Sequence, residues 1–213
     1  MIMTLVKKDI MIIKGYVLAE IAIAVGIPLI IANRQPQMGG MTGLLIATLI
    51  ASLSFNLAVS GKENQYPKAT ALLSSTPYMR NRVVAAKYIL YIIIYLFCCI
   101  VSFAEMKFIP ELRVESFVQS AAFVFLSQAI GMGIFLPIQY KFGYEKTRYL
   151  CSLFYLYPFA ASAMKQMLLF ESFGHLRRSN TGTSAIILFA AGLAVWIISF
   201  EISKKIFDGK DLV

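Results

Sequence analysis

Two ionisable side chains lie inside apolar stretches of this chain: Glu20, in "YVLAEIAIAVGIPLIIA", and Lys165, in "YLCSLFYLYPFAASAMKQMLLF". A charge in hydrocarbon is expensive, so such residues are candidates for a pathway through the membrane before they are candidates for structure. The structural alternatives are an interfacial partner for Glu20, such as Lys14 or a loop arginine, and snorkelling or pairing with Glu171 for Lys165. Around Lys165 the same stretch holds Tyr155, Tyr157, Pro158 and Phe159, followed by Ala160, Ala161, Ser162 and Ala163. The proline predicts a kink and the small residues predict close helix contact.

Other chemistry is poorly represented. The single histidine, His175, falls in a loop beside Arg177 and Arg178. It supplies neither the ligands of an intramembrane metalloprotease nor the base of a serine dyad. Cys98, Cys99 and Cys151 sit within apolar blocks and have no metal-ligand or disulfide spacing. The glycine-lysine of "SGKENQY" lacks the earlier glycine and the following Ser or Thr of a phosphate-cradling loop. No metal and no cofactor is expected on this chain.

The elements that must position Glu20 and Lys165 are membrane spans. Apolar residues make up 59% of the 213 residues and charged ones 15%, against roughly 25% charged in soluble domains. The apolar residues come in blocks, several of which approach the ~20 residues that cross a bilayer as helix. Six spans are predicted, at about Gly15–Ala32, Met41–Ser60, Val83–Met106, Phe117–Gln139, Tyr149–Phe170 and Ser184–Ser203. So little chain remains outside them that residues 1–213 read as one all-α, polytopic membrane domain. Gly39 and Gly43, and Gly131 with Gly133, mark places where helices can approach closely.

The net charge of +9 follows the spans. Assigning alternate connections to the two sides puts Lys7, Lys8, Lys14, Lys62, Lys68, Arg80, Arg82, Lys87, Lys141, Lys146, Arg148, Lys204, Lys205 and Lys210 together, which is 14 of the 20 basic residues. The positive-inside rule makes that side cytoplasmic, with both termini on it. The charge therefore describes orientation in a cell membrane and argues against a nucleic-acid partner.

Residues 1–14 predict a helix lying along the headgroups, with Val6, Ile10 and Ile13 on one face beside Leu5, and Lys7, Lys8, Asp9 and Lys14 elsewhere. A longer cytoplasmic segment, 61–82, interrupts the second and third spans. Pro67 and Pro77 each suit the first position of a short helix, and Thr76 is a good cap for the second. Two short helices are predicted, with a break at Ser74–Thr76. Such a segment is either a lever for another protein or an amphipathic helix that tracks the membrane surface. In this reading Arg80, Arg82 and Lys87 anchor at headgroup level.

The order of these pieces, "LVKKDIMIIK", two spans, "LLSSTPYMRNRVVAAKYIL", four spans and "SKKIFDGKDL", resembles the permease subunits of bacterial ATP-binding-cassette exporters of the type-two permease superfamily. It is most similar to small stand-alone permeases that export antimicrobial or amphipathic peptides, such as the phenol-soluble-modulin exporters. The resemblance covers essentially the whole chain and is carried by Leu72, Leu73, Thr76, Pro77, Arg80, Arg82, Val83, Lys87 and Tyr88. It implies that 61–82 is the coupling segment, with Pro67, Lys68, Leu72, Leu73, Thr76, Pro77, Arg80 and Arg82 serving a separate ATPase that binds ATP and magnesium. It also implies a permease dimer, of identical or closely paralogous chains, with the first and fifth spans at the dimer contact. A non-transporting sensor or immunity scaffold, and an exporter of lipids or drugs, are the alternative functions.

Overall fold

A computed structural model describes residues 2–12, 14–34, 39–65, 80–109, 112, 116–149 and 181–208. Within them the chain is entirely helical apart from short connections. The principal helices are α1 (Ile2–Ile12), α2 (Val17–Arg34), α3 (Gly39–Gln65), α4 (Arg80–Phe108), α5 (Phe117–Phe142) and α6 (Thr181–Asp208), with a short helical piece at 144–149.

Four of these, α3 to α6, are long and apolar enough to cross a bilayer. At ~1.5 Å per residue, the 27 residues of α3 reach about 40 Å, more than the ~30 Å hydrocarbon core. Helix α2 holds 18 residues and adds a fifth crossing only if it counts with α1 as one broken span, since the two meet at a bend of 86°. The predicted fifth span lies almost wholly outside the described residues. Four or five spans are thus present among the described residues where the sequence reading expects six. The helices also run past the predicted ends, because polar residues at a span's end continue its backbone ladder into the headgroup zone.

Local signals explain where α5 begins and ends. The Ser116 side chain caps it by accepting from the Gln119 N–H, and Gly143, at φ +80°, closes it through an N–H donated to Gln139.

Helix α4 touches all five other named helices, α3 touches α1, α2, α4 and α5, and α6 packs chiefly along α5 and also touches α4. Close approach is possible where side chains are small. A Cβ on Gly43 would meet Pro28 of α2 at 3.1 Å, and one on Gly133 would meet Ser199 of α6 at 3.4 Å. Of the four glycines singled out in the sequence, Gly43 and Gly133 therefore mark helix crossings. Another glycine, Gly40, has no room at all, since its Cβ would run into the carbonyl of Leu112. Gly40→Val is expected to displace the turn at Leu112 and sharply lower the folded yield, whereas Gly26→Ala, with open space around it, should be tolerated. Fluorescence-detected size exclusion of the two variants checks this.

Helix α1 departs from expectation. Its buried face is Leu5, Val6 and Asp9, while Ile10 is partly exposed. Leu5 and Val6 join a cluster with Phe55, Val59, Ala86 and Leu90 from α3 and α4. The predicted stripe of Val6, Ile10 and Ile13 is thus rotated, because the bundle offers an apolar seat on one side of α1 and a place for the Asp9 charge next to it. Ile13 lies outside the described residues.

Candidate functional site

The segment at 66–79 lies outside the described residues, but both of its stems are described, and a group of charges joins them. Glu63 sits in the last turn of α3 and Lys87 two turns into α4. Lys87 Nζ donates to Glu63 Oε2 at 2.8 Å. From α1, Lys8 Nζ reaches Glu63 Oε1 at 3.4 Å and its neighbour Asp9 Oδ1 at 3.0 Å. Two ammoniums and two carboxylates thus form a neutral quartet across three helices.

The setting is dry. The Lys87 side chain is 11% exposed and lies over the Tyr140 ring of α5, 6.0 Å from its centroid. Burial holds the Asp9 carboxyl above its ordinary range against the pull of Lys87 and Lys8. Charges so placed are tolerated only in company, and removing one partner leaves another buried and unpaired. The expectation that Lys87 anchors at lipid headgroups is therefore overturned: a carboxylate from the preceding helix reaches it first, and the interior of the bundle encloses the pair. Glu63 had no role in the sequence reading. The available signal was a lone carboxylate one turn from the end of a span, facing a lysine at the start of the next.

The same end of the bundle collects other chain ends. Tyr140, near the end of α5, stacks edge-on with Phe207, near the end of α6, at 5.4 Å. The helix that carries the N-terminus and the helix that leads to the C-terminus therefore share an end with the stems of 66–79.

Above the quartet the helices meet through polar side chains. Asn56 donates to Gln139 at 2.8 Å, Gln139 to Ser60 at 2.8 Å, and Ser60 to Asn56 at 3.2 Å. Gln128 donates to Ser52 and to the Tyr91 carbonyl, and the Tyr88 hydroxyl lies 2.7 Å from Ser199 and 2.8 Å from Ser203. Most of these bonds run between helices, which is how polar residues hold membrane bundles together, although Gln128 Oε1 is buried with no hydrogen-bond partner. They join α3, α4, α5 and α6.

Glu20 is different. It lies in the first turn of α2 and accepts from Ser54 of α3 at 3.0 Å. The Ser54 hydroxyl has one proton, and the Ile50 carbonyl stands closer, at 2.7 Å. The second carboxyl oxygen, Oε2, is buried with no hydrogen-bond partner. Ser54 is 11 residues before the end of α3, so the carboxyl lies about 16 Å up the helix from that end. In place of the interfacial partner that sequence allows, Lys14 or a loop arginine, the carboxyl meets a half-buried hydroxyl of α3. Glu105 of α4 has both carboxyl oxygens buried without hydrogen-bond partners; it went unremarked in the sequence because it lies next to the end of a predicted span.

The remaining candidates divide cleanly. Arg80 opens α4 and Arg82 is half-buried in its first turn. Pro67, Lys68, Leu72, Leu73, Thr76 and Pro77, and in the fifth stretch Tyr155, Tyr157, Pro158, Phe159 and Lys165, lie outside the described residues.

Comparison with known proteins gives one match. A family model described as ABC-2 family transporter protein matches residues 4–208. No curated protein and no solved structure matches.

Proposed function

Because the chain belongs to the ABC-2 family of transporter proteins, we propose that it is the permease subunit of an ATP-driven exporter of amphipathic peptides, working as a dimer with two separate ATPase subunits. The family match over residues 4–208 carries this reading. The two stems of 66–79, held together at one end of the bundle, give an ATPase a rigid base on which to act. ATP and magnesium belong to that ATPase. A two-fold dimer is the commonest assembly of such chains.

Peptide cargo rests on the likeness of the whole chain to small peptide-exporting permeases and on Glu20. A deep carboxylate with an unmet oxygen suits the cationic and donor groups of an amphipathic peptide. Co-purification with candidate ATP-binding-cassette ATPases, followed by measurement of which peptides stimulate hydrolysis, tests the proposal. Failure of every ATPase to co-purify, or stimulation by lipids alone, overturns it. Glu20→Gln is expected to leave expression and ATPase assembly intact and to lower peptide-stimulated hydrolysis severalfold. Unchanged stimulation removes Glu20 from the pathway.

Both termini and 66–79 are assigned to the cytoplasm on the charge distribution. A cysteine placed at Gln37 or Ser179 should react with an impermeant maleimide in intact cells, and one placed at Gln65 should react only after lysis. The reverse pattern inverts the orientation.

A further inference from the structure

We propose that Glu63 is a positioning residue that ties the two stems of the 66–79 segment and the N-terminal helix into one body, so that displacement of the segment moves α1 together with the start of α4. The proposal rests on the reading that an ATPase acts on 66–79.

The geometry behind it is the division of one carboxylate between two helices. Glu63 Oε2 holds Lys87 at 2.8 Å and Glu63 Oε1 faces Lys8 at 3.4 Å. Glu63 is itself two residues from the end of α3, so it stands at the root of the segment. Neither lysine duplicates its task. Lys8 has Asp9 as a second partner on its own helix, and Lys87 has the Tyr140 ring; among the described residues Glu63 is the carboxylate that hydrogen-bonds both, while Asp9 acts on the same two charges electrostatically. The apolar contacts of Leu5 and Val6 with Phe55, Val59, Ala86 and Leu90 hold α1 against the same two helices, so a small shift at Glu63 is passed on through packed side chains.

The division of labour has a chemical reason. Apolar packing between helices slides at little cost, because one methyl group replaces another. A buried ion pair does not slide: moving Lys87 away from Glu63 leaves two desolvated charges apart, which is strongly unfavourable. The quartet therefore fixes the register between α1, α3 and α4, while the apolar seat supplies adhesion.

The test uses Val6, which is 3% exposed in the docked helix. A Val6→Cys permease, otherwise without cysteine, is purified with its cognate ATP-binding-cassette ATPase, and maleimide labelling is timed without nucleotide and with ATP and vanadate. The expected result is a labelling rate that differs at least threefold between the two states. Glu63→Gln should bring that ratio to one while the ATPase still co-purifies. Glu63→Asp, which keeps a carboxylate between Lys87 and Lys8, should retain most of it and guards against a variant that simply fails to fold. A ratio that persists in Glu63→Gln, or a wild-type ratio of one, overturns the proposal. Loss of the ATPase from the otherwise unaltered permease is a separate outcome, which instead overturns the reading that the segment meets an ATPase and the proposal with it.

Discussion

Replacing Leu72 and Leu73 together by aspartate is expected to release the ATPase during purification while the permease still inserts and folds. The two leucines are the apolar pair of the proposed coupling segment, and burying one leucine is worth about 1.5–3 kcal/mol. Losing both removes roughly 3–6 kcal/mol of contact, and each aspartate adds the cost of desolvating a carboxylate against the partner. At about 1.4 kcal/mol per factor of ten, affinity should fall by at least ~100-fold. Insertion should be unaffected, because in sequence the two residues fall between the apolar blocks of α3 and α4. Arg80→Ala is the control. An exposed contact with anionic headgroups is worth about 1 kcal/mol and is screened by salt, so that variant should keep its ATPase. Retention of the ATPase and of ATP-dependent export by the double aspartate variant would remove 66–79 from the coupling role.

The second large effect concerns the attachment of α6 to α4, beside its more extensive contact with α5. Ile186, Ile187, Ile197 and Ile198 are all well exposed. Its main attachment to α4 is Tyr88, whose ring stands edge-on to Trp196 at 5.1 Å and to Phe200 at 5.4 Å, and whose hydroxyl meets Ser199 and Ser203. Two substitutions separate ring from hydroxyl. Tyr88→Phe loses two hydrogen bonds, which in membrane bundles average about 0.6 kcal/mol each, and Ser199 keeps its bond to the Gly133 carbonyl at 2.7 Å. Tyr88→Ala loses the ring and opens a cavity. Aromatic-to-alanine changes in cores cost about 3–5 kcal/mol, and the low end applies here because lipid is as apolar as the site.

Trp196 is the only tryptophan in the chain, so its fluorescence reports on this part of the core, where it also meets Phe125 of α5 at 6.5 Å. Tyr88→Ala should shift its emission and lower the thermal midpoint in detergent by roughly 6–12 °C, against less than about 4 °C for Tyr88→Phe. If phenylalanine costs as much as alanine, the hydroxyls rather than the rings hold α6.

Membrane character, helical class and the positions of α2 to α6 are legible in the sequence, because an apolar block of bilayer length has one way to satisfy its backbone in hydrocarbon. Gly43 and Gly133 could be read as crossing points for a similar reason: only the absence of a side chain lets two backbones meet. Glu20 was visible as a charge out of place, and it remained a deep carboxylate with an unmet oxygen. What the sequence leaves open is which face of each helix meets which neighbour, since a span apolar all round has no periodic stripe to orient it. That choice set the rotation of α1, turning Asp9 inward and Ile10 outward. It also moved Lys87 from the headgroups into a pair with Glu63, a residue 24 positions earlier. Linear order separates those two charges by the whole of 66–79; only the antiparallel packing of α3 against α4 returns the chain to the same place, and the cost of a lone charge in the interior then keeps them joined.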